Sequence, residues 1–316
     1  MKRLKAFKDL EKELSSLYET QGDASRASLF NVLVFTPTPK REAYLKEFTN
    51  KIVDRFPCRL IFINQIPEHD VPMEVDVDVK CRSNVSCDYI EIKIGIEDAY
   101  KLPYLILPHL IPDLPLYMLW GDDPLLQNEL YKTLAPYASR VIFDSIHIKN
   151  LSQFAAKFLE ESRPKLRDVN WTLISDWREV VMRVLDTQDK KEALKNADRV
   201  KIIYQQESSV QARLLKAWLV EHMKVPHGIF NLMQQDCQEL EGDIFALEVT
   251  TPEKDLFGFY RRGEQALVHL SSKDACDLPQ TYPLVNTRRG FRFWRELLFE
   301  EPSGEYLEVL EFIRDE

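Results

Sequence analysis

The stretch from residue 106 to residue 123, ILPHLIPDLPLYMLWGDD, is the most apolar part of the chain and ends in a turn. Residues 114–120 (LPLYMLW) form a continuous apolar run of strand length, which is typical of a strand buried on both faces of a parallel sheet. In such sheets, ligands bind just beyond the carboxyl ends of the strands. The loop at residues 121–124 is therefore a candidate ligand loop, although a core strand followed by a tight turn is the simpler interpretation.

The segments on either side of this run predict an α/β fold. Residues 28–35 (SLFNVLVF) and 59–66 (RLIFINQI) are β-rich, and residues 40–56 between them carry apolar side chains at helical spacing. This β-α-β order builds a parallel sheet with a right-handed crossover. A short buried strand is also predicted at residues 140–145 (RVIFDS), so we expect an N-terminal Rossmann-like, three-layer domain with a mixed, mostly parallel sheet.

Three other segments complete the first half of the chain. Residues 2–20 carry apolar side chains every three or four positions, which predicts an amphipathic helix. Residues 73–80 and 88–96 alternate between apolar and polar side chains and predict an antiparallel hairpin at a sheet edge. Residues 124–138 are predicted to be helical, with Asp123 as the N-cap.

A charged segment with a proline, SRPKLRD at residues 162–168, marks the predicted domain boundary. It gives an N-terminal domain of residues 1–165 and a C-terminal domain of residues 166–316. Soon after it, a helix is predicted with Asp176 or Ser175 as its N-cap. Three alternating runs separated by turns predict an antiparallel meander, namely residues 244–250, 256–261 and 265–270. The second domain is therefore expected to be α+β with an antiparallel sheet.

Composition limits the classes of partner. The chain has 316 residues, a formal net charge of -9 and 45% hydrophobic residues, which is ordinary for a soluble globular protein. The acidic balance argues against nucleic-acid and anionic-membrane partners, because those contacts depend on Lys and Arg. The first residues do not resemble a signal peptide, and no window reaches about 18 apolar residues. We therefore expect a cytoplasmic protein without a membrane partner.

Motifs for catalysis, cofactors and metals are missing from the sequence. It contains no GxGxxG, GxxxxGK[ST], HExxH or GxSxG, and nine glycines leave little material for a phosphate-binding loop. Five cysteines without CxxC spacing and six scattered histidines favour neither a disulfide framework nor a zinc site. Glu74, Asp76 and Asp78 resemble a row of metal ligands, but charges that protect an edge strand explain them better. We expect no enzymatic activity, no cofactor and no metal.

Two clusters nevertheless contain chemically useful residues. Asp144 and Ser145 follow a predicted strand, where a nucleophile could lie, but no base stands at a recognisable spacing. Arg288, Arg292 and Trp294 belong to the densest basic and aromatic patch. This patch is compatible with a bound phosphate or nucleic-acid base, with a partner-binding face, or with the solvated side of a helix.

Seven stretches are specific enough for comparison with known families. They are RASLFNVLVF (26–35), PCRLIFI (57–63), SCDYIEIKI (86–94), LPHLIPDLPLYMLWGDDP (107–124), RVIFDS (140–145), DVNWTLISDWREVVMRVLD (168–186) and SSVQARLLKAWLVEHM (208–223). Together they resemble the glucose-6-phosphate dehydrogenase assembly protein family, OpcA. PDLPLYMLWGDDP and NWTLISDWRE are the most specific of these pieces.

The resemblance implies a non-enzymatic helper that binds glucose-6-phosphate dehydrogenase and promotes its active oligomer. The family has no catalytic residues to transfer, so the chain would act through a surface. The candidate contact residues are Trp171, Trp177, Arg178, Arg288, Arg292 and Trp294.

A competing hypothesis is a small-molecule binding protein or enzyme that holds a sugar phosphate or a nucleotide. Its ligand loop would consist of Gly121, Asp122 and Asp123, together with Asp144 and Ser145.

Overall fold

The computed structural model describes residues 1–4, 7–21, 25–68, 71–82, 85–125, 128–160, 166–236, 243–272, 276–284, 291–300 and 304–316. The chain divides into two units. Unit 1 comprises Met1–Asp144 and Lys165–Arg167, and unit 2 comprises Ser145–Pro164 and Asp168–Glu316. The chain therefore passes between the units three times, and the boundary predicted between residues 165 and 166 lies between the second and the third passage.

Unit 1 is built around one mixed sheet of nine strands. The strands are β1 (Lys2–Arg3), β2 (Ser25–Arg26), β3 (Phe30–Thr36), β4 (Cys58–Ile66), β5 (Glu74–Arg82), β6 (Val85–Gly95), β7 (Leu116–Trp120), β8 (Arg140–Phe143) and β9 (Leu166–Asp168). The α-helices are α1 (Leu10–Gln21), α2 (Pro39–Val53), α3 (Leu102–Ile106) and α4 (Glu129–Leu134). The order across the sheet is β1-β5-β6-β4-β3-β7-β8-β9, with β2 beside β6.

The central part of this sheet has Rossmann topology. Strand β3 is parallel to β4 on one side and to β7 on the other, and β6 and β8 extend the parallel sheet outward. The order β6-β4-β3-β7-β8-β9 is that of the doubly wound dinucleotide-binding fold. The predicted Rossmann-like, mostly parallel sheet is confirmed, and its topological switch point lies between β3 and β7.

Strand β7 is the buried strand predicted from the apolar run. All five of its residues are buried, and the Trp120 ring stacks on the Phe35 ring of β3 at a centroid distance of 4.1 Å. The proline-rich entry to β7 is held by Asn31, which receives a hydrogen bond from the Ile111 N–H (2.8 Å) and donates one to the Ile111 carbonyl (3.1 Å). A buried amide therefore supplies backbone partners that the prolines around this entry cannot supply.

The helix predicted over residues 2–20 is wrong at its start. Lys2 and Arg3 form a short strand antiparallel to β5, and α1 begins only at Leu10. Arg3 forms ion pairs with Glu74 (2.9 Å) and Asp76 (2.7 Å) across the two strands. Pairing with a distant strand therefore overrides the local helical pattern, and two of the β5 acids take part in it.

The helix predicted over residues 124–138 is also wrong in its extent and its cap. Helix α4 covers only Glu129–Leu134, and its N-cap is Asn128, which accepts a hydrogen bond from the Tyr131 N–H at 3.2 Å. Asp123 instead accepts from the Leu125 N–H at 2.8 Å and forms a turn.

Unit 2 contains a six-stranded sheet and seven α-helices within its described residues. The strands are β10 (Arg199–Tyr204), β11 (Phe230–Gln234), β12 (Ile244–Thr250), β13 (Leu256–Arg262), β14 (Gln265–Ser271) and β15 (Gln280–Pro283). The helices are α5 (Leu151–Glu160), α6 (Val169–Leu173), α7 (Ser175–Val184), α8 (Gln188–Lys195), α9 (Ser209–Met223), α10 (Phe291–Phe299) and α11 (Gly304–Asp315). The predicted antiparallel meander is confirmed in β12, β13 and β14, and the pair β10 and β11 is parallel.

The predicted N-cap at Asp176 or Ser175 is wrong. Asp168 caps α6 by accepting a hydrogen bond from the Asn170 N–H at 2.9 Å, and Ser175 and Asp176 are the first residues of α7. The Ser175 hydroxyl donates to the Thr172 carbonyl at 2.8 Å, so it satisfies a helix-end carbonyl. Among the helices that the structure describes, none combines the length and apolar character needed to cross a membrane.

Candidate functional site

The end of β7 lies against the end of β3 at the switch point of the unit 1 sheet. The Gly121 N–H donates to the Phe35 carbonyl at 2.9 Å. A Cβ at position 121 would lie 2.5 Å from that carbonyl oxygen and 2.7 Å from Leu45 Cδ1. Only glycine fits where the backbones of β3 and β7 come this close. The first residue of the predicted ligand loop is therefore held in place against β3.

The two aspartates after Gly121 bond mainly to their own loop. The Asp122 carboxylate accepts from the Asp123 N–H at 2.9 Å, and Asp123 accepts from the Leu125 N–H at 2.8 Å. Both side chains are partly exposed. This segment is therefore an ordered acidic turn beside the switch point.

Arg41, in the first turn of α2, is the group at this edge that sequence reasoning missed. Its Nε and Nη1 atoms are buried and have no hydrogen-bond partner among the described residues. Burial lowers the pKa of Arg41, and the nearby charge of Asp144 counters part of that shift. Tyr44, one turn further along α2, lies 5.4 Å from the guanidinium and donates its hydroxyl to Asp144 at 3.0 Å. The structure thus brings together Arg41, Tyr44 and the predicted Asp144.

On the other side of the α2 start, four polar residues form a connected network. Lys46 forms ion pairs with Glu42 (2.6 Å) and Glu91 (2.8 Å), and the Asn64 amide donates to Glu42 at 2.5 Å. Burial lowers the pKa of Lys46, but its hydrogen bonds to both carboxylates outweigh burial and hold the pKa above its usual value. Asn64 itself is 4% exposed, and its Oδ1 atom has no hydrogen-bond partner in the described part of the chain.

A nicotinamide dinucleotide, which this fold often binds, does not fit the loop after β3. In dinucleotide-binding folds a glycine-rich turn lets backbone N–H groups approach the pyrophosphate. Here the turn is Thr36-Pro37-Thr38-Pro39, in which both prolines lack an N–H. Pro37 Cδ also lies 3.3 Å from the position that a Cβ of residue 121 would occupy. The proline ring therefore takes up space that a glycine at position 37 would leave open.

Ser145, the last residue of the predicted ligand loop, belongs to a different cluster. It is fully buried in unit 2, where its hydroxyl accepts from the Asn170 amide at 3.0 Å. Asn170 also accepts from the Gln211 amide at 3.0 Å, and Asp168 accepts from the Tyr306 hydroxyl at 3.2 Å. Burial and the Asp168 carboxylate raise the pKa of Tyr306 well above its usual value, so the phenol stays protonated. The assignment of Ser145 to a ligand loop is wrong, because its polar atoms are used inside the core.

The predicted tryptophan contacts are also core residues. Trp171, Trp177 and Trp294 are 7%, 1% and 0% exposed. Arg178 is buried as well, with its guanidinium 3.7 Å from the Trp171 ring and 3.0 Å from Glu305. All four side chains are therefore buried within unit 2, and their role as partner contacts stays a prediction. Arg288 lies outside the described residues, and Arg292 is placed in α10 without a described side chain.

Exposed aromatic residues occur elsewhere, on the segment that follows β6. Ile96, Tyr100 and Tyr104 are 50%, 67% and 81% exposed and are spaced four residues apart across a 3-10 turn and α3. Sequence reasoning did not single them out. We refer to these three residues as the tyrosine ridge.

The described cysteine side chains are free thiols. Cys58 and Cys87 are buried, whereas Cys276 is exposed and lies 3.1 Å from His269 Nε2. A hydrogen bond between the two buried thiols, together with burial, raises the pKa of Cys58, and the same bond lowers the pKa of Cys87 to about 7. Within the described ranges, no group of three or more His, Cys, Asp or Glu side chains could hold a metal ion.

Comparison with known proteins adds a family match over most of the chain. The matching family is described as a glucose-6-phosphate dehydrogenase subunit; residues 49–160 match its N-terminal domain, and residues 164–298 match its C-terminal domain. A Nostoc punctiforme protein named OxPP cycle protein OpcA is 27% identical over 184 residues, which are 55% of this chain and 40% of that protein. A Synechocystis protein of the same name is 24% identical over 178 residues, 53% of this chain and 37% of that protein. The aligned part is thus well under half of these relatives.

Solved structures resemble the chain only in outline. A 3-ketoreductase from Actinomadura kijaniata has a TM-score of 0.49 and 10% sequence identity, with 90% of this chain and 95% of that chain covered. An oxidoreductase from Sinorhizobium meliloti has a TM-score of 0.45 and 9% identity, with 92% and 89% covered.

Proposed function

Because the chain belongs to the family of glucose-6-phosphate dehydrogenase subunits, we propose that it is a non-enzymatic assembly factor for that dehydrogenase. It binds the enzyme and promotes its active oligomer, and it thereby supports the oxidative pentose phosphate pathway. The two family matches, which together span residues 49–160 and 164–298, are the observation that carries this proposal.

The loop after β3 supports the non-enzymatic part of the proposal. A dehydrogenase of this fold needs a backbone cradle for the pyrophosphate of its cofactor. Residues 36–39 contain two prolines and no glycine, and Gly121 is packed against Phe35. The chain has therefore kept the Rossmann topology without the loop that makes the topology a dinucleotide site.

Activation follows from preferential binding. A protein that binds the active oligomer more tightly than the inactive form shifts the population by the difference in binding free energy. A difference of about 1 to 3 kcal/mol changes the population ratio by roughly five- to 150-fold, which is the usual range for allosteric coupling. No group of this chain needs to touch the substrate of the dehydrogenase.

The tyrosine ridge is the proposed contact surface. Tyrosine is enriched among residues that dominate binding energy, because a large apolar ring is combined with a hydroxyl and little rotamer entropy. Ile96, Tyr100 and Tyr104 expose at least half of their surface, whereas the predicted tryptophans expose almost none. Arg288 and Arg292 would add basic contacts to the dehydrogenase.

The test is size-exclusion chromatography with light scattering on a mixture with the dehydrogenase of the same organism, with NADPH production assayed across the peak. We expect co-elution and raised activity. Separate elution with unchanged activity would contradict the proposal.

The surface is tested with the variant Tyr100→Ala/Tyr104→Ala, for which we expect weaker co-elution and weaker activation with an unchanged melting temperature. Leu278→Ala, which truncates an 87% exposed apolar side chain in unit 2, is the control and should behave like the wild type. Equal activation by both variants would remove the ridge from the interface.

A further inference from the structure

The Arg41 guanidinium has buried N–H donors without hydrogen-bond acceptors among the described residues. Its Nε and Nη1 atoms are buried, and the described part of the chain offers them no acceptor. Donors that are buried without partners destabilise a protein, and more so when the group is charged. A comparison within unit 1 shows that such a state is avoidable. Arg59, 4% exposed, donates to Asp88 at 2.7 Å, to Glu11 at 2.7 Å and to the His109 carbonyl at 2.6 Å.

Arg41 lies where ligands bind in sheets of this topology. It is in the first turn of α2, directly after β3, and β3 borders the switch point. Tyr44 and Asp144 stand beside it, and the charges of Asp144 and Asp122 reach its guanidinium. The site thus combines two buried guanidinium N–H groups that lack acceptors in the described residues with carboxylates on the neighbouring loops.

A second unpartnered atom lies at the same edge of the sheet. Asn64 is opposite Thr36 at the ends of β4 and β3. Its amide NH2 group donates to Glu42, which fixes the amide orientation and leaves Oδ1 as an acceptor without a donor in the described residues. Because buried polar atoms normally have partners, the edge lacks an acceptor at Arg41 and a donor at Asn64.

We propose that the carboxyl edge of the unit 1 sheet binds a small phosphorylated metabolite with free hydroxyl groups, such as a sugar phosphate or a nucleoside monophosphate. The Arg41 guanidinium binds the phosphate, for which its planar pair of N–H donors is well suited. A hydroxyl group of the ligand donates to the Asp144 carboxylate. This effector site is independent of the dehydrogenase contact surface, so either proposal can fail alone.

The carboxylates explain why the ligand carries hydroxyl groups. Asp144 and Asp122 repel an anion, so a bare phosphate gains at Arg41 and loses at these neighbours. A ligand hydroxyl group that donates to a carboxylate forms a charge-assisted hydrogen bond, and this bond offsets the repulsion between the carboxylate and the phosphate. A dinucleotide is excluded because residues 36–39 offer no cradle for a pyrophosphate.

The experiment is isothermal titration calorimetry of the full chain with glucose 6-phosphate, AMP, glucose and inorganic phosphate, each up to millimolar concentration. We expect one of the two organic phosphates to bind more tightly than inorganic phosphate, and glucose to bind least. The stronger of the two identifies the ligand as a sugar phosphate or a nucleotide. Absence of binding by both organic phosphates, or binding no tighter than that of inorganic phosphate, would overturn the proposal.

Two arginine variants, one in the first turn of α2 and one just after its C-terminal end, locate the site. Arg41→Gln should weaken the bound organic phosphate by roughly tenfold or more, since a hydrogen bond to a charged group contributes about 1.5 to 3 kcal/mol. Arg55→Gln removes an exposed guanidinium that donates to the Lys51 carbonyl near the other end of α2, and it should leave affinity unchanged. Equal weakening by both variants would mean non-specific charge attraction, and no weakening by Arg41→Gln would place the ligand elsewhere.

Asp144→Asn tests the hydroxyl contacts separately. The variant removes a negative charge, so inorganic phosphate should bind more tightly, while the preference for the organic phosphate over inorganic phosphate should shrink. An unchanged preference would contradict the proposed role of the carboxylate. Circular dichroism and melting temperature confirm that each variant is folded before its titration.

Discussion

The protein has two polar clusters, one in each unit, that differ in how their buried polar atoms are hydrogen-bonded. At the edge of unit 1, Arg41 and Asn64 leave buried polar atoms without partners in the described residues. In unit 2, the carboxylate of Asp168 is bonded on both oxygens, to the Asn170 N–H and to the Tyr306 hydroxyl. The first cluster lies at the end of a sheet beside partly exposed loops, and the second lies in a core.

The difference lies at the centre of each cluster, because both carboxylate oxygens of Asp168 have donors, whereas two Arg41 nitrogens have no acceptor in the described residues. At the outer end of the unit 2 cluster, Gln211 Oε1 also has no partner in the described residues. An aspartate near a strand end is found in both clusters, Asp144 after β8 and Asp168 at the end of β9. A closed network contributes stability, because removal of any member leaves the others buried without partners. An incomplete network keeps stability low locally and retains capacity to bind a further molecule.

The largest effect is expected for removal of Asp168, the acceptor at the centre of the unit 2 cluster. Asp168→Ala should lower the free energy of unfolding by about 3 kcal/mol, because it removes the α6 cap and leaves the Tyr306 hydroxyl and the Ser145 N–H buried without that acceptor. Urea denaturation followed by tryptophan fluorescence measures the change. The matched variant Asp144→Ala should cost less than about 1 kcal/mol, since Asp144 is only partly buried. Similar losses for both aspartates would show that the two clusters contribute equally to stability.

The sequence predicts the strands and helices around both clusters better than it predicts the hydrogen bonds within them. The parallel sheet follows from local apolar runs such as β3 and β7, since a strand buried on both faces must be apolar throughout. Whether a polar residue is bonded depends instead on residues far away in the chain. Ser145 and Asn170 are 25 positions apart, and Tyr306 is 138 positions from Asp168. No local pattern contains that information.

Residues with long-range partners account for the failed predictions. The strand at Lys2–Arg3 is set by its pairing with β5. Trp171 of the NWTLISDWRE segment packs against Tyr306 of α11, 135 positions further along the chain. Arg41 was missed for the opposite reason, because its significance is the lack of a partner. Only its place in the first turn after a buried strand could have indicated it.

A methyl group at Gly121 tests how tightly the edge of unit 1 is held. Gly121→Ala should lower the free energy of unfolding by about 2 kcal/mol, because its Cβ would lie 2.5 Å from the Phe35 carbonyl oxygen and force β7 away from β3. Gly228→Ala is the control, since no described heavy atom lies within 4 Å of a Cβ there. Its denaturation midpoint should match the wild type. An equally stable Gly121→Ala protein would show that the switch point yields easily.

Replacement of Arg41 should stabilise the protein, in contrast to the two substitutions above. Arg41→Met exchanges a buried charge for an apolar chain of similar length, so we expect the free energy of unfolding to rise by about 1 kcal/mol. The paired arginine is the control, because Arg59→Met leaves Asp88 buried without its cation and should destabilise the protein. Thermal denaturation of both variants without added phosphate provides the measurement. A loss of stability in both would mean that Arg41 is satisfied in solution, and the contrast between the two units would then disappear.

The smallest effect concerns the Glu42–Lys46 pair on the bonded side of the same edge. Burial raises the pKa of Glu42, but hydrogen bonds from Lys46 and Asn64 outweigh it, so the folded pKa lies below the usual 4.5. A depressed carboxyl pKa means that the stabilisation is present above pH 4.5 and is lost as the pH falls through the folded value. The contribution is less than about 1 kcal/mol, because the pair is partly open to solvent. Glu42→Gln should therefore reduce stability at pH 7 slightly and flatten the loss of stability below pH 4.5, as measured by urea midpoints across that range. If the wild type and the variant lost stability in parallel with acid, the Glu42 charge would contribute nothing, and the bonded side of the edge would differ from the open side only in its neutral hydrogen bonds.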